Sequence, residues 1–212
     1  MNDESDCEPA LPPRIGDKAP TFSARATTGP VKLEDFRGQW LVLFSHPADF
    51  TPVCTSEFVA LARKSADFAK RDCALMALSI DTLFSHFAWL RLIRDTFDIE
   101  VRFPVIEDPT MVIANAYGMS TPGDADNFGV RSTFFIDPAG IIRAMTCYPP
   151  NVGRSIPEML RILDALQAAD ATSALTPADW KKGQPMLQPP VQTLDDVFAA
   201  KNAGDWFSQE RR

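Results

Sequence analysis

The chain has 212 residues, 45% hydrophobic and 23% charged, with a formal net charge of −7. These values suit one soluble globular domain plus an appendage, and an acidic chain without a basic stripe argues against a nucleic-acid partner. No apolar run approaches the ~20 residues of a spanning helix, so no membrane partner is expected. The first residues, Met1 to Pro9, are acidic and polar, the opposite of a secretory or transit peptide, and the expected compartment is the cytoplasm.

In chain order, residues 1–14 are expected to form a mobile extension and 15–39 short extended pieces about the turn Thr28-Gly29-Pro30. The apolar run 40–46 predicts a strand, and Thr51 to Lys70 a helix. Cys54, Phe58, Leu61, Ser65 and Phe68 share its core-facing side at helical spacing. Cys73 to Ile80 has strand length. Thr82 to Phe97 predicts a helix with a broad, well-covered apolar stripe, Phe87 and Trp89 serving as core or pocket wall and Arg91 and Arg94 facing solvent. A short strand at 103–106, a short helix at 109–117 and a loop at 119–129 follow. Strands at 130–136 and 141–147, joined by the turn 137–140, must pair antiparallel. Ile156 to Leu166 reads as an amphipathic helix, and 194–203 as a helical piece within a proline-punctuated C-terminal segment. Strands alternating with helices predict an α/β fold with a mixed central sheet flanked by helices. The expected divisions are an extension at 1–14, a main domain at 15–169 and a small C-terminal appendage at 170–212.

The chemistry concentrates in Pro47-Ala48-Asp49-Phe50-Thr51-Pro52-Val53-Cys54, where a buried strand hands over to a helix. A thiol in the first turn of a helix faces unpaired backbone N–H groups and the positive end of the macrodipole, and both favour thiolate. Thr51 offers a hydroxyl three residues earlier, and Pro47 and Pro52 stiffen the turn. The four cysteines, Cys7, Cys54, Cys73 and Cys147, form no C-x-x-C and no zinc spacing, and a reducing compartment argues against a disulfide framework. Cys73 lies in a core strand and is expected to be inert; Cys147 ends a strand and is expected to be buried. With only His46 and His86 present, no histidine-rich metal site is expected. Arg131 is an arginine in an apolar strand, a position that demands a partner.

The string P-x-x-x-T-x-x-C, standing here as Pro47, Thr51 and Cys54, resembles the peroxiredoxins, and within them the one-cysteine subfamily. Three further blocks are similar: Val130 to Pro138 around Arg131, Tyr148 to Arg154, and Thr176 to Gly183. The resemblance covers roughly residues 15–205. It implies a thioredoxin-like fold and reduction of hydrogen peroxide or alkyl hydroperoxides through a Cys54 sulfenic acid, with no metal or organic cofactor. Thr51 would hold the peroxide, Pro47 would exclude water, and Arg131 would stabilise the thiolate and the departing oxygen. Glu57, one turn beyond Cys54, would pin Arg131. The family pattern places a second arginine near the sulfur, which would be Arg154, and His46 would tune the pocket or merely satisfy a local hydrogen bond.

The resemblance also implies a homodimer built through the edge strand 141–147, or a ring of such dimers. No cysteine follows Cys147 to act as the resolving thiol of two-cysteine relatives, so the sulfenic acid would be reduced by an external thiol such as glutathione or a thioredoxin-like protein. The serine-centred lipase motif of some one-cysteine relatives is missing: Arg37-Gly38-Gln39-Trp40-Leu41 stands there, and Glu34 replaces the assisting histidine. Two other readings use the same cysteine, a peroxide sensor or redox-switched holdase chaperone, and a two-cysteine cycle with Cys147.

Overall fold

The computed structural model describes residues 11–119, 130–202 and 204–211. Cys7, most of the expected N-terminal extension and nearly all of the 119–129 loop lie outside the described residues. The chain divides into two compact units, residues 1–156 and 157–212.

The first unit is built on a seven-stranded mixed sheet ordered β2-β1-β5-β4-β3-β6-β7. Its strands are β1 (Ser23–Ala26), β2 (Gly29–Lys32), β3 (Trp40–Ser45), β4 (Cys73–Ser79), β5 (Val105–Glu107), β6 (Arg131–Ile136) and β7 (Ile142–Tyr148). β3 runs parallel to β4, and β4 parallel to β5, because α1 (Pro52–Ala69) and α2 (Leu83–Phe97) form the crossovers. β6 lies antiparallel to both β3 and β7. The short helix α3 (Val112–Ala116) follows β5.

β3 is central and buried along its whole length, which explains why its sequence is continuously apolar rather than alternating. Leu41 and Leu43 join one core with Met76, Leu78, Ile106, Phe134 and Ile142. Between them in the chain, Val42 and Phe44 turn to the other face. There Phe44 meets Phe58 of α1 and Phe103, each with ring centroids 5.8 Å away. Phe58 also packs on Trp89 of α2 at 4.6 Å. This aromatic cluster seats both helices, and truncating Phe58 to alanine is expected to cost about 3–5 kcal/mol.

Several expectations from the sequence change. Ser65 is exposed on α1 and donates its hydroxyl proton back to Ala62 O, so the core stripe runs Cys54, Phe58, Leu61, Phe68, with Glu57 buried beside it. On α2 only His86, Trp89 and Ile93 are buried; Phe84, Phe87, Leu92 and Phe97 are exposed, because one helix face can meet the sheet and this apolar stripe is wider than that face. The helix expected from Pro109 begins at Val112, since Met111 takes a left-handed φ of 59° and Asp108 Oδ2 accepts from Ala114 N at 2.7 Å. Cys147 is exposed rather than buried: β7 is the edge strand, and its residues near the C-terminal end alternate toward solvent.

In the second unit α4 (Ile156–Thr172) is followed by β8 (Met186–Leu187), α5 (Leu194–Ala199) and β9 (Glu210–Arg211), with β8 and β9 antiparallel. Trp180 is buried; its Nε1 donates to Gln184 O at 3.0 Å, and Arg161 Nη1 donates to its carbonyl at 3.4 Å. α5 is shorter than the helix expected at 194–203, ending where Ala200 turns extended.

Candidate active site

β3 ends at Ser45, and the chain passes through His46 to Phe50 before α1 begins at Pro52. Pro47 is buried, and Phe50 adopts a left-handed φ of 57°, a conformation that costs a bulky side chain on the order of 1–3 kcal/mol. Thr51 is the N-cap of α1, yet its hydroxyl does not cap the helix; it donates to Ala48 O at 2.9 Å. The first-turn N–H groups are therefore left uncapped by Thr51, and the lone pairs of its oxygen remain able to accept. Cys54 is the third residue of α1 and has no exposed surface.

Arg131, the first residue of β6, reaches Cys54 from the strand beside β3. Its Nη1 lies 3.3 Å from Cys54 Sγ and also donates to Glu57 Oε2 at 2.9 Å. Its Nε and Nη2 both donate to Pro150 O, at 3.1 and 2.7 Å, which fixes the plane of the guanidinium. Arg154 grips the same carboxylate from the opposite side: its backbone N and Nε donate to Glu57 Oε1 at 2.7 and 3.0 Å, and its Nη2 donates to Oε2 at 2.7 Å. Arg154 Nη1 donates further to Ser132 O and Thr133 Oγ1, and its guanidinium lies 4.9 Å from the centre of the Phe44 ring. Burial would push the Glu57 carboxyl up, but hydrogen bonds and charge from Arg154, with the charge of Arg131, hold it below the usual range.

The charge count of this cluster is informative. Arg131, Arg154 and Glu57 are all at most 7% exposed and sum to one positive charge. An uncompensated buried charge is costly, and besides Glu57 the side chain that Arg131 touches is the Cys54 thiol. The sequence-derived residues Cys54, Glu57, Arg131 and Arg154 are thus brought into one bonded cluster, with Thr51 and Pro47 in the segment leading into it.

His46 goes to a neighbouring cluster. Its Nε2 lies 2.9 Å from Asp49 Oδ1, while His86 Nδ1 lies 2.8 Å from Asp49 Oδ2. Burial alone would raise the Asp49 carboxyl, but the two imidazoles override it and bring Asp49 from 3.8 down to about 2. The donor atoms of these three residues lie within 4.8 Å of one another, and each imidazole shares one hydrogen bond with the carboxylate. Asp49 and His86 escape the sequence argument. The available signal is that His86 shares the buried face of α2 with Trp89 and Ile93, and a polar group on a buried stripe requires a partner. Thr55 is a third such residue: its hydroxyl donates to Thr51 O at 2.7 Å and accepts from Trp89 Nε1 at 3.2 Å.

Cys73 and Cys147 are placed elsewhere. Burial pushes the Cys73 thiol up to about 12, and its Sγ donates to Ala74 O. Cys147 pairs in register with Ser132, the neighbour of Arg131 on β6. Successive strand residues face opposite sides of a sheet, so Cys147 lies on the face away from the Arg131–Cys54 contact.

Comparison with known proteins agrees in both units. Residues 15–145 match the AhpC/TSA family, and residues 165–201 match the C-terminal domain of 1-Cys peroxiredoxin. A peroxiredoxin of Aquifex aeolicus is 47% identical over 210 residues, spanning 92% of this chain and 95% of its own. One of Methanosarcina mazei is 42% identical over 209 residues, spanning 92% and 95%. Among solved structures, the yeast mitochondrial 1-Cys peroxiredoxin, described as having a thiol resolving mechanism via glutathione/thioredoxin systems, is 39% identical with a TM-score of 0.80, over 88% of this chain and 91% of that one. Peroxiredoxin 6 of Arenicola marina, solved as a C45S mutant, is 32% identical with a TM-score of 0.79 over 88% of each chain.

Proposed function

Because the chain belongs to the peroxiredoxins, a family of thiol-dependent peroxidases with a thioredoxin-like fold, we propose that Cys54 is the residue its peroxide substrate oxidises and that Arg131, Thr51 and Pro47 complete the catalytic group. The observation that carries this reading is the 3.3 Å contact between Arg131 Nη1 and Cys54 Sγ inside a buried cluster one positive charge in excess.

The ionised sulfur attacks one oxygen of the hydroperoxide. An S–O bond forms, the O–O bond breaks, and the electron pair leaves on the distal oxygen, which takes up a proton as water or an alcohol. Thr51 Oγ1, committed as a donor to Ala48 O, accepts the hydrogen bond of the peroxide O–H and directs the O–O axis at sulfur. Arg131 stabilises the charge moving onto the departing oxygen, an interaction stronger in the transition state than before it. Buried Pro47 walls the site without adding a donor. Glu57 and Arg154 are supporting residues that hold Arg131 against the sulfur, and His46 supports the loop through Asp49.

The sulfenic acid is then reduced by an external thiol. A first thiol condenses with it to a mixed disulfide and releases water; a second attacks that disulfide, freeing Cys54 and leaving the oxidised dithiol. Glutathione and a thioredoxin-like protein are the proposed reductants, and the yeast relative supports this choice. A cycle that consumes thiols suits the cytoplasm. We also propose a homodimer, or a ring of dimers, in which the edge strand β7 pairs with a second copy; its exposed Met145 and Cys147 support that surface. The peroxidase domain is proposed to span 15–169 and the appendage 170–212, the order in which the two family matches fall.

The test is stopped-flow consumption of hydrogen peroxide with glutathione supplied in excess. Many turnovers per chain, lost in Cys54→Ser, are expected. Arrest after one equivalent would favour a sensor instead.

A further inference from the structure

His86 is fully buried on α2, and its two hydrogen-bonding partners among the described residues cannot donate to it. Its Nε2 lies 3.2 Å from the backbone carbonyl of Ile106, an acceptor only. Its Nδ1 lies 2.8 Å from Asp49 Oδ2. Asp49 is a carboxylate, held well below the usual range once its two imidazole partners overcome its burial. A carboxylate also only accepts, so both ring nitrogens of His86 are placed to donate.

The same count fixes His46. Its Nε2 faces a carboxylate oxygen, which can only accept, and burial lowers its pKa against the pull of Asp49, which favours the ring with a single proton. That proton sits on Nε2, which faces Asp49 Oδ1, and among the described residues the buried Nδ1 has no hydrogen-bond partner.

We propose that His86 is a positioning residue for the peroxidase reaction: a buried imidazolium that pairs with Asp49 and through it holds His46 in the tautomer protonated at Nε2. The charged groups around His86 fit a cation. Asp49 meets it from the loop before α1, and Asp81, following β4, accepts the Asp49 backbone N–H at 2.9 Å. Glu107 on β5, ion-paired with Arg25, accepts from Leu83 N, at the start of α2, at 2.8 Å. His46, from the end of β3, is the neutral member, with ring centroids 6.1 Å apart.

The consequence reaches the sulfur through packing. The His46 ring packs on Phe58, one turn beyond Cys54, at 4.8 Å and on Trp89 at 5.3 Å, and the next residue in the chain is Pro47. Without the His86 Nδ1–H, Asp49 Oδ2 faces no imidazole donor. The carboxyl then takes a proton more readily and can donate it to His46 Nε2, moving the His46 proton to Nδ1. The ring would then present a donor where it now presents an acceptor.

The chain contains only two histidines, so nitrogen-15 histidine labelling of the full chain reads both rings directly. At pH 7 the expected spectrum has one ring protonated on both nitrogens and one protonated on Nε2 alone. Loss of the doubly protonated ring in His86→Phe assigns it. In that variant His46 is expected to gain the Nδ1–H tautomer, and peroxide consumption to fall about tenfold. Two neutral rings in the parent would overturn the proposal, as would assignment of the doubly protonated ring to His46. A changed tautomer with an unchanged rate would overturn the positioning role. The effect on turnover rests on the peroxidase reading, whereas the proton count does not. Failure of that reading would appear as a parent protein that consumes no peroxide while its histidine spectrum is as expected.

Discussion

Cys54 and Cys73 are both buried in the same compact unit, one in the first turn of α1 and the other opening β4, yet their surroundings diverge. Cys54 meets a guanidinium at 3.3 Å and the uncapped front of a helix. Cys73 meets the backbone carbonyl of Ala74 and, among the described residues, bonds no cation, and burial pushes its thiol up to about 12. Depth without a bonded cation therefore favours the protonated thiol. What distinguishes Cys54 is a positive charge brought to it from 77 residues away.

That contrast can be broken most severely by exchanging the thiols. Cys54→Ser is expected to abolish thiol-dependent peroxide consumption, while Cys73→Ser leaves it within about twofold. Next in size is Arg131→Ala, which removes the charge but keeps the sulfur; peroxide consumption should fall by roughly 10²–10³, the usual scale for losing one preorganised donor. Glu57→Gln is expected to act less on rate than on stability. It leaves Arg131 and Arg154 buried with no carboxylate, and chemical denaturation should show a loss of about 3–5 kcal/mol.

A smaller effect belongs to acid stability. Asp49 in the folded chain lies at about 2, below its ordinary 3.8. Its contribution is present above about pH 4 and is lost as pH falls toward 2, because the unfolded chain binds the proton first. Denaturation curves should show roughly 2 kcal/mol of pH-dependent stability from this group across that window, flattened in Asp49→Asn. The smallest expected signal is alkylation of Cys73 in the native protein, which should be undetectable at pH 8 while Cys54 reacts.

Sequence spacing carries this fold well where a single face is buried. Thr51 and Thr82 mark helix starts, and the stripe through Phe58, Leu61 and Phe68 marks the core side of α1. It fails where burial depends on sheet position. Cys147 sits in a strand as apolar as its neighbours, and only the edge placement of β7 exposes it. Phe84 and Phe87 read as core, yet the inward face of α2 is taken by His86, Trp89 and Ile93. In the site, Arg131 is conspicuous because a lone arginine in an apolar strand needs a partner. Asp49 and His86 are 37 residues apart, and neither announces the other. Their pairing becomes visible only when β3, β4 and β5 bring the loop before α1 against α2.

The most direct measurement is the second-order rate of hydrogen peroxide with reduced protein at neutral pH, compared between the parent and Arg131→Ala under conditions where circular dichroism shows both folded. Pairing of the guanidinium with the sulfur predicts a fall of about a hundredfold or more. A rate within threefold of the parent would contradict it, and the reactivity of Cys54 would need a source other than Arg131.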